Sequence, residues 1–279
     1  MDQDAPLTRL AVLGSPVKHS LSPWVHSRFA EQAGIAVDYR AIEVDAEHLS
    51  REVQQLADDR GRGCNITLPH KEQAFRLASH ASERATQAAS ANTLVFESQS
   101  RWRAENTDGP GLLRDLRDNL GLAVRGQAVC LVGAGGAAAG IIYDLLREEP
   151  KFLTLVNRTP GRAAQLAERF RPFGEIRTGG LPDLDSIGPF DLVIHASAAG
   201  HHGTGPVLAD GMFAADGACY DLNYGDAHAA LASWCTARGI RCYDGLGMLA
   251  EQAAESFRLW TGFSPDTAPV IRDLRERAG

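Results

Sequence analysis

The sequence lacks the marks of three protein classes: disulfide-bonded secreted domains, membrane-spanning chains and zinc proteins. Its five cysteines are scattered, odd in number and free of any CxxC pair, so neither a disulfide framework nor a zinc site is predicted. No apolar run approaches the roughly 18 residues of a transmembrane helix, and no apolar core follows the acidic N-terminus. We therefore expect a cytoplasmic protein in a reducing compartment, with no bound metal and no membrane partner.

Lysine is also scarce, and the net charge is negative. Of 28 lysine and arginine residues only three are lysines, Lys18, Lys71 and Lys151. The formal net charge of −7 argues against nucleic acid as a partner. Arginine does not lose its proton in a protein, whereas lysine can. Each of the few lysines is therefore a candidate for proton chemistry.

The segment from Gly126 to Arg162 carries the most informative pattern. An apolar run meets a glycine-rich turn, and an amphipathic run and a second apolar run follow. This order predicts the first βαβ unit of a dinucleotide-binding domain, in which a pyrophosphate lies on the N–H groups at the helix start. A glycine-rich loop can also be an ordinary turn, but the flanking strands and helix favour the dinucleotide site. The candidate cofactor residues of the turn are Gly133, Ala134, Gly135, Gly136 and Ala137.

The residues after the second strand of this unit indicate which cofactor is bound. An NAD site usually carries an acidic residue there, about 20 residues past the glycines, to bond the ribose 2′-hydroxyl. Here the position is taken by Asn157, Arg158 and Thr159, and Arg162 follows closely. Two guanidinium groups and two small polar side chains suit a 2′-phosphate. The segment therefore predicts NADP.

The remaining pattern predicts an α/β fold with two domains separated by a cleft. The first hundred residues alternate strands and helices and include a hairpin at 92–96 and 101–105, but they carry no glycine fingerprint. A helix over 108–119 leads into a Rossmann-type NADP-binding domain, which continues through buried strands at 191–196, 218–222 and 241–244. The last helix is predicted at 248–260. Small ligands usually bind in a cleft between domains.

Two loops in the first domain carry candidate binding groups. Ser20 and Ser22 precede a helix start, where hydroxyls and free N–H groups can hold a carboxylate. Alternatively, Ser22 is an ordinary N-cap with Pro23 at the first helical position. Thr67 ends a strand and Lys71 opens the next helix. Lys71 is then either a reactive amine or a solvated surface lysine.

The sequence Asn106-Thr107-Asp108-Gly109 precedes another predicted helix. Such residues favour capping turns, which is one interpretation. In the other, Asp108 is a carboxylate partner that holds Lys71 against a substrate hydroxyl. His201, His202 and the other histidines show no metal-ligand spacing and are interpreted as surface or loop residues. Neither a GxSxG nor a P-loop motif is present.

Seven motifs taken in order resemble the shikimate dehydrogenase family over nearly the whole chain. They occupy residues 14–23, 65–71, 91–93, 106–109, 133–137, 157–159 and 244–249. The resemblance implies an NADP-dependent oxidoreductase that reduces 3-dehydroshikimate to shikimate reversibly in the chorismate pathway of aromatic amino-acid biosynthesis. It also implies a substrate domain of residues 1–107 plus 245–279 and an NADP-binding domain of residues 108–244, in a monomer or homodimer.

The resemblance assigns roles to individual residues. Ser20 and Ser22 would bind the substrate carboxylate, and Thr67, Asn92 and Asp108 would hold the ring hydroxyls. Lys71, paired with Asp108, would act on the oxygen at the reacting carbon. Further contacts would come from Tyr224 and Gln252 to the substrate, and from Gly245 and Met248 to the cofactor.

Several positions depart from the family pattern. The usual Asn-Ala-Thr stretch is His195-Ala196-Ser197, the usual Gly-Asp before Asn106 is Ala104-Glu105, and Asn223 stands where an aromatic residue is frequent. These bear on the shape of the nicotinamide pocket. Two rivals stay open: an NAD-tolerant quinate/shikimate dehydrogenase, which Arg158 argues against, and a non-catalytic metabolite sensor, which should have lost the Lys71–Asp108 pair.

Overall fold

The computed structural model describes residues 7–197 and 208–278. His201 and His202 lie outside the described residues. The chain divides into two compact units, one of residues 1–112 with 249–277 and one of residues 113–248 with 278–279. No helix among the described residues is long and apolar enough to cross a membrane.

The first unit is built on a mixed six-stranded sheet. Its strands are β1 (Thr8–Gly14), β2 (Val37–Glu43), β3 (Gly63–Ile66), β4 (His80–Ala81), β5 (Thr93–Ser98) and β6 (Arg101–Glu105). Their order across the sheet is β2-β1-β3-β5-β6-β4, with β1, β2 and β3 parallel and β5 antiparallel to both β3 and β6. The predicted hairpin is therefore confirmed as β5–β6.

Five helices accompany these strands: α1 (Ser22–Ala33), α2 (Leu49–Asp58), α3 (Lys71–Leu77), α4 (Glu83–Ala88) and α5 (Asp108–Arg114). The buried side of α2 contributes Leu49, Val53 and Ala57 to the core beside β1 and β3. The predicted helix over 108–119 is confirmed in extent, but its winding changes: α5 ends at Arg114 and the chain continues as a π-helical segment, Asp115–Asn119.

The second unit is a parallel sheet of the Rossmann type. It contains β7 (Ala128–Val132), β8 (Phe152–Asn157), β9 (Ile176–Gly180), β10 (Phe190–His195), β11 (Phe213–Asp221) and β12 (Arg241–Tyr243), and the helices α6 (Gly136–Arg147), α7 (Pro160–Phe170), α8 (Leu184–Ile187) and α9 (Asp226–Thr236). The order β9-β8-β7-β10-β11-β12 reverses between β7 and β10. Ligands bind at such a switch point, beyond the carboxyl ends of the strands.

Two helices close the chain, α10 (Leu246–Thr261) and α11 (Thr267–Ala278). The interpretation of residues 248–260 as the last helix is wrong, since α11 follows after a short loop. Gly262, with φ of +79°, follows α10 and ends it in the left-handed conformation that favours glycine. The mixed α/β architecture with a Rossmann-type unit confirms the predicted fold class.

Candidate active site

Lys71 and Asp108 form an ion pair in the first unit. They are the first residues of α3 and α5, and Lys71 Nζ donates to Asp108 Oδ2 across 2.5 Å. The lysine side chain is 14% exposed and the aspartate side chain 7%, so the interpretation of Lys71 as a solvated surface lysine is wrong. An ammonium group has three donor positions. The pair uses one of them, and the amine can therefore also bond a substrate oxygen.

Two asparagines bond Asp108, one at its carboxylate and one at its backbone N–H. Asn92 Nδ2 donates to Asp108 Oδ1 at 2.7 Å, and the Asp108 backbone N–H donates to Asn106 Oδ1 at 3.1 Å. The capping interpretation of this turn is thus correct as well, because Asn106 satisfies the first N–H group of α5. With one oxygen bonded to Asn92 and the other to Lys71, the carboxylate has a single orientation, toward the amine.

Gln252 joins the same cluster from α10. Its Oε1 accepts from Asn92 Nδ2 at 3.2 Å, although 160 positions separate the two residues, and from Thr107 Oγ1 at 3.4 Å. Gly111 permits this approach of α10 to α5, since a Cβ there would lie 2.6 Å from Gln252 Cβ. Four predicted site residues therefore meet here: Lys71, Asn92, Asp108 and Gln252.

The predicted carboxylate-binding serines lie at the start of α1. Ser20 Oγ accepts from the Ser22 N–H at 3.2 Å. The interpretation of Ser22 as an N-cap is wrong, because the helix begins at Ser22 itself, with Leu21 at the N-cap and no side-chain cap. A helix start without a side-chain cap keeps N–H donors and the positive end of the helix dipole available for an anion.

A chain of hydrogen bonds runs from Tyr39 to the Lys71 cluster. Burial raises the pKa of Tyr39, and the nearby Ser22 side chain opposes that rise. Tyr39 Oη donates to Asn65 Oδ1 at 2.7 Å, Asn65 Nδ2 donates to Thr93 Oγ1 at 3.1 Å, and Thr93 Oγ1 donates to Asn92 Oδ1 at 3.0 Å. Tyr39, Asn65 and Thr93 were not among the predicted site residues. Their network orients Asn92, because each bonded group restricts its neighbours.

His26 is buried within α1 next to the serine end, one helical turn after Ser22, so the interpretation of the other histidines as surface or loop residues is wrong here. Its ring is 0% exposed and stacks on Tyr39 with centroids 4.2 Å apart. Neither ring nitrogen has a hydrogen-bond partner of acceptable geometry among the described residues. Burial lowers the pKa of His26 to about 3 and outweighs the opposing effect of the nearby Asn65 side chain. The ring is therefore neutral in the folded protein.

This buried ring makes stability depend on pH. Below the ordinary histidine pKa the unfolded chain binds a proton that the folded chain does not, so the free energy of unfolding falls as the pH falls. The His26 contribution to this loss is about 2 kcal/mol at about pH 5. We expect the free energy of unfolding of His26→Phe to depend less on pH. Between near-neutral pH and about pH 5, urea unfolding should show a loss about 2 kcal/mol smaller in this variant than in the original chain.

The matched control is His19→Phe, because His19 is exposed on the loop before α1. This variant should keep the original pH dependence. An identical loss of stability in His26→Phe and the original chain would contradict the assignment.

Two further predicted substrate contacts lie outside this cluster. Thr67 follows β3 and lies against Gly14, where a Cβ would stand 2.2 Å from Thr67 Cγ2. Tyr224 belongs to the second unit and is half-buried. Burial raises the pKa of the Tyr224 hydroxyl, so the phenol stays protonated near neutral pH and can donate a hydrogen bond.

The predicted glycine turn of the second unit has the geometry of a pyrophosphate site. Gly133 has φ of +119°, and a Cβ there would lie 2.8 Å from the Ala196 carbonyl oxygen, so only glycine fits. Around Gly135 and Gly136 the space within 4 Å of an added Cβ is open. α6 starts at Gly136 without a side-chain cap. Its first N–H groups can therefore bind the phosphates of NADP.

The predicted 2′-phosphate residues follow β8 at the same edge of the sheet. Asn157 Nδ2 donates to the Thr159 carbonyl oxygen at 3.0 Å, which fixes the turn. Arg158 and Arg162 are exposed. Thr159 is the N-cap of α7, and the Arg162 N–H donates to its carbonyl oxygen at 3.0 Å. This arrangement fits a doubly charged phosphate, since guanidinium groups bind phosphate oxygens in pairs.

Two other predicted cofactor residues lie where the chain leaves β12. Gly245 is buried, and a Cβ there would lie 2.4 Å from the Leu222 carbonyl oxygen. Met248 is 8% exposed. Glycine at 245 therefore allows the chain to pass close to the end of β11.

His195, which departs from the family pattern, lies in a cluster of buried polar side chains at the end of β10. His195 Nδ1 lies 3.0 Å from Asp221 Oδ1, and His195 Nε2 lies 2.7 Å from Ser197 Oγ. Asn223 Nδ2 donates to the same Asp221 oxygen at 2.8 Å. Burial alone would raise the pKa of Asp221, but the hydrogen bonds from His195 and His228 outweigh burial and lower this pKa to about 2. His195 and Asn223 thus replace family residues with a network of their own.

Three family profiles match successive parts of the chain. The shikimate dehydrogenase substrate binding domain matches residues 12–94, the shikimate / quinate 5-dehydrogenase family matches residues 116–213, and the shikimate 5'-dehydrogenase C-terminal domain matches residues 245–275. Together these matches include parts of both units.

Individual proteins are similar over nearly the full length. A protein of Xanthomonas euvesicatoria pv. vesicatoria named shikimate dehydrogenase (NADP(+)) is 46% identical over 98% of this chain and 97% of its own. An Ael1 enzyme from Pseudomonas putida has a TM-score of 0.88 at 38% identity, covering 96% of this chain and 98% of that one. Shikimate 5-dehydrogenase from Thermus thermophilus, solved with NADP(H) and shikimate, has a TM-score of 0.82 at 31% identity, covering 96% and 99%.

Proposed function

The chain belongs to the shikimate dehydrogenase family, and we propose that Lys71 and Asp108 carry the proton transfer of its reaction. The chain is an NADP-dependent oxidoreductase that acts on a CH–OH group and interconverts 3-dehydroshikimate and shikimate. The observation that supports the residue assignment is the 2.5 Å Lys71–Asp108 pair. It lies within a cluster of amide and hydroxyl groups that suits a polyhydroxylated ring.

The proton steps follow from the chemistry of the pair. The cofactor, when bound, would supply the hydride chemistry: NADP as the acceptor in oxidation and NADPH as the donor in reduction. The hydroxyl on that carbon must lose its proton as the carbonyl forms, and the Lys71 amine takes it up. In reduction the Lys71 ammonium returns the proton to the carbonyl oxygen. Asp108 holds the amine in place and offers its second oxygen to a ring hydroxyl.

The other residues orient the substrate. Ser20 and Ser22 bind its carboxylate at the start of α1, while Thr67, Asn92 and Gln252 bind ring hydroxyls and Tyr224 makes a further contact. In this assignment the carboxylate of the ring lies at the serine end and its reacting carbon at the Lys71 end. Residues 1–107 with 245–279 would then bind the substrate, and residues 108–244 would bind NADP.

The cofactor residues are assigned to three parts of NADP. The N–H groups of the turn at Gly133, Ala134, Gly135, Gly136 and Ala137 bind the pyrophosphate. Asn157, Arg158, Thr159 and Arg162 bind the 2′-phosphate of the adenosine. Gly245 and Met248 line the region of the nicotinamide.

The assay for this function follows absorbance at the nicotinamide band with shikimate and NADP. We expect NADP reduction to depend on both compounds, with a higher kcat/KM for NADP than for NAD and for shikimate than for quinate. Equal efficiency with NADP and NAD would contradict the role of Arg158. No turnover with any combination, despite shikimate binding, would favour a metabolite sensor.

Composition also bears on location and assembly. A cytoplasmic location is consistent with the free cysteines of the described residues, and we propose a monomer or homodimer that does not bind nucleic acid, given the net charge of −7.

A further inference from the structure

Three cysteines that are scattered in the sequence converge in the second unit. Cys219 lies on β11, Cys235 on α9 and Cys242 on β12. Their sulfur atoms all lie within 4.8 Å of one another. Cys219 and Cys242 face each other in the register of the two parallel strands, and Cys235 approaches from the helix that connects them. The other two cysteines, Cys64 and Cys130, belong to other parts of the fold.

The triangle of sulfurs has the dimensions of a metal site. Three thiolates at about 2.3 Å from one ion lie about 3.8 Å from each other in tetrahedral geometry. Thiolate sulfur is a soft ligand that selects Cu⁺ and Zn²⁺ over hard cations such as Mg²⁺ and Ca²⁺. No histidine or carboxylate of the described residues joins the three sulfurs within 4.8 Å. The site therefore offers a three-sulfur ligand set.

Two of the three cysteines are fully buried and the third is accessible. Cys219 and Cys235 are 0% exposed, whereas Cys242 is half-buried and gives the site access to solvent.

We propose that Cys219, Cys235 and Cys242 form a binding site for one thiophilic metal ion, Cu⁺ or Zn²⁺, separate from the dehydrogenase chemistry. Binding forms metal–sulfur bonds and releases thiol protons to solvent, with no change in oxidation state. Affinity for the ion should therefore rise with pH.

The first experiment measures retention of metal by the reduced protein under argon. One arm presents Cu⁺ in competition with bicinchoninate, and the other presents Zn²⁺ in competition with a colorimetric zinc chelator. We expect about one ion per chain to be retained in at least one arm, and that arm identifies the metal. Cys219→Ala, Cys235→Ala and Cys242→Ala should each lower the affinity for that ion at least tenfold.

Cys64→Ala is the matched control, because it also removes a fully buried thiol but from the other unit. It should retain the ion with unchanged affinity. Retention of neither metal by the original chain, or equal loss of affinity in the Cys64→Ala control, would overturn the proposal.

A second measurement needs no variant and is independent of folding defects. In the original chain, bound metal should slow alkylation of Cys242 by iodoacetamide at least tenfold, as mapped by peptide mass spectrometry. The rates at Cys64 and Cys130 should not change. Equal Cys242 alkylation with and without metal would count against the site.

Discussion

Replacing Lys71 with alanine is expected to lower kcat a hundredfold or more, on the scale of lost general acid–base catalysis, while affinity for NADPH stays nearly unchanged. The physical reason is the position of the amine: it is bonded to Asp108 at 2.5 Å within a cluster that also holds Asn92 and Gln252. Removing it deprives the reacting hydroxyl of the amine that takes up its proton. Steady-state kinetics with shikimate and NADP measure kcat, and fluorescence titration measures NADPH affinity.

Lys71→Arg separates proton transfer from simple attraction. Arginine keeps the positive charge beside Asp108 but does not release a proton in proteins. This variant should therefore bind shikimate, while its kcat should stay as low as that of Lys71→Ala. Lys151→Ala is the matched control, since Lys151 is an exposed lysine of the second unit. Full activity of Lys71→Ala would remove Lys71 from the mechanism, and full activity of Lys71→Arg would exclude its role as the proton acceptor.

The regular parts of the fold could be predicted from the sequence because their patterns are local. The apolar run 128–132, the turn at Gly133 and the helix after it follow each other directly, and they fold as β7, the turn and α6. The π-helical turn after Arg114 could not be predicted in this way. There Asp115 accepts from Tyr220 Oη at 2.5 Å, a partner 105 positions away that local periodicity does not show.

The candidate site was predictable only to the extent that its residues belong to short motifs. Lys71, Asp108, Asn92 and Ser22 each lie in such a motif, yet the motifs do not show that these side chains meet. Tyr39 lies in an ordinary strand, β2, and it is a site residue only because its hydroxyl reaches Asn65. Asn65 itself offered a usable signal, since it lies two residues before Thr67.

Cysteine spacing did not show that three sulfur atoms converge, for a related reason. Cys219, Cys235 and Cys242 have no CxxC spacing, so the sequence argued against a metal site. Parallel strands place residues side by side after a long crossover, and the register of β11 with β12 pairs Cys219 with Cys242. Linear spacing therefore carries no information on ligand sets that form across a parallel sheet.

Replacing Arg158 with aspartate is expected to change the preference for NADPH over NADH by on the order of a thousandfold. The exposed guanidinium follows directly on Asn157 at the end of β8, where a charge-assisted bond to a 2′-phosphate contributes about 1.5–3 kcal/mol. Aspartate removes that bond and repels the phosphate. It also supplies the carboxylate that bonds a free ribose 2′-hydroxyl in NAD sites, so the efficiency with NADH should rise.

The change should appear in kcat/KM for each cofactor, measured at saturating shikimate or 3-dehydroshikimate, with kcat itself little altered, because Arg158 binds the adenosine end and not the reacting atoms. Arg51→Asp makes the same change of charge at an exposed position of α2 in the first unit, and it should leave the preference intact.

Arg162→Ala should have a smaller effect in the same direction, since Arg162 lies within α7 and removing it adds no repulsion. An unchanged preference in Arg158→Asp would place 2′-phosphate recognition elsewhere, and a fall in kcat with both cofactors would show that the substitution disturbs more than the cofactor contact.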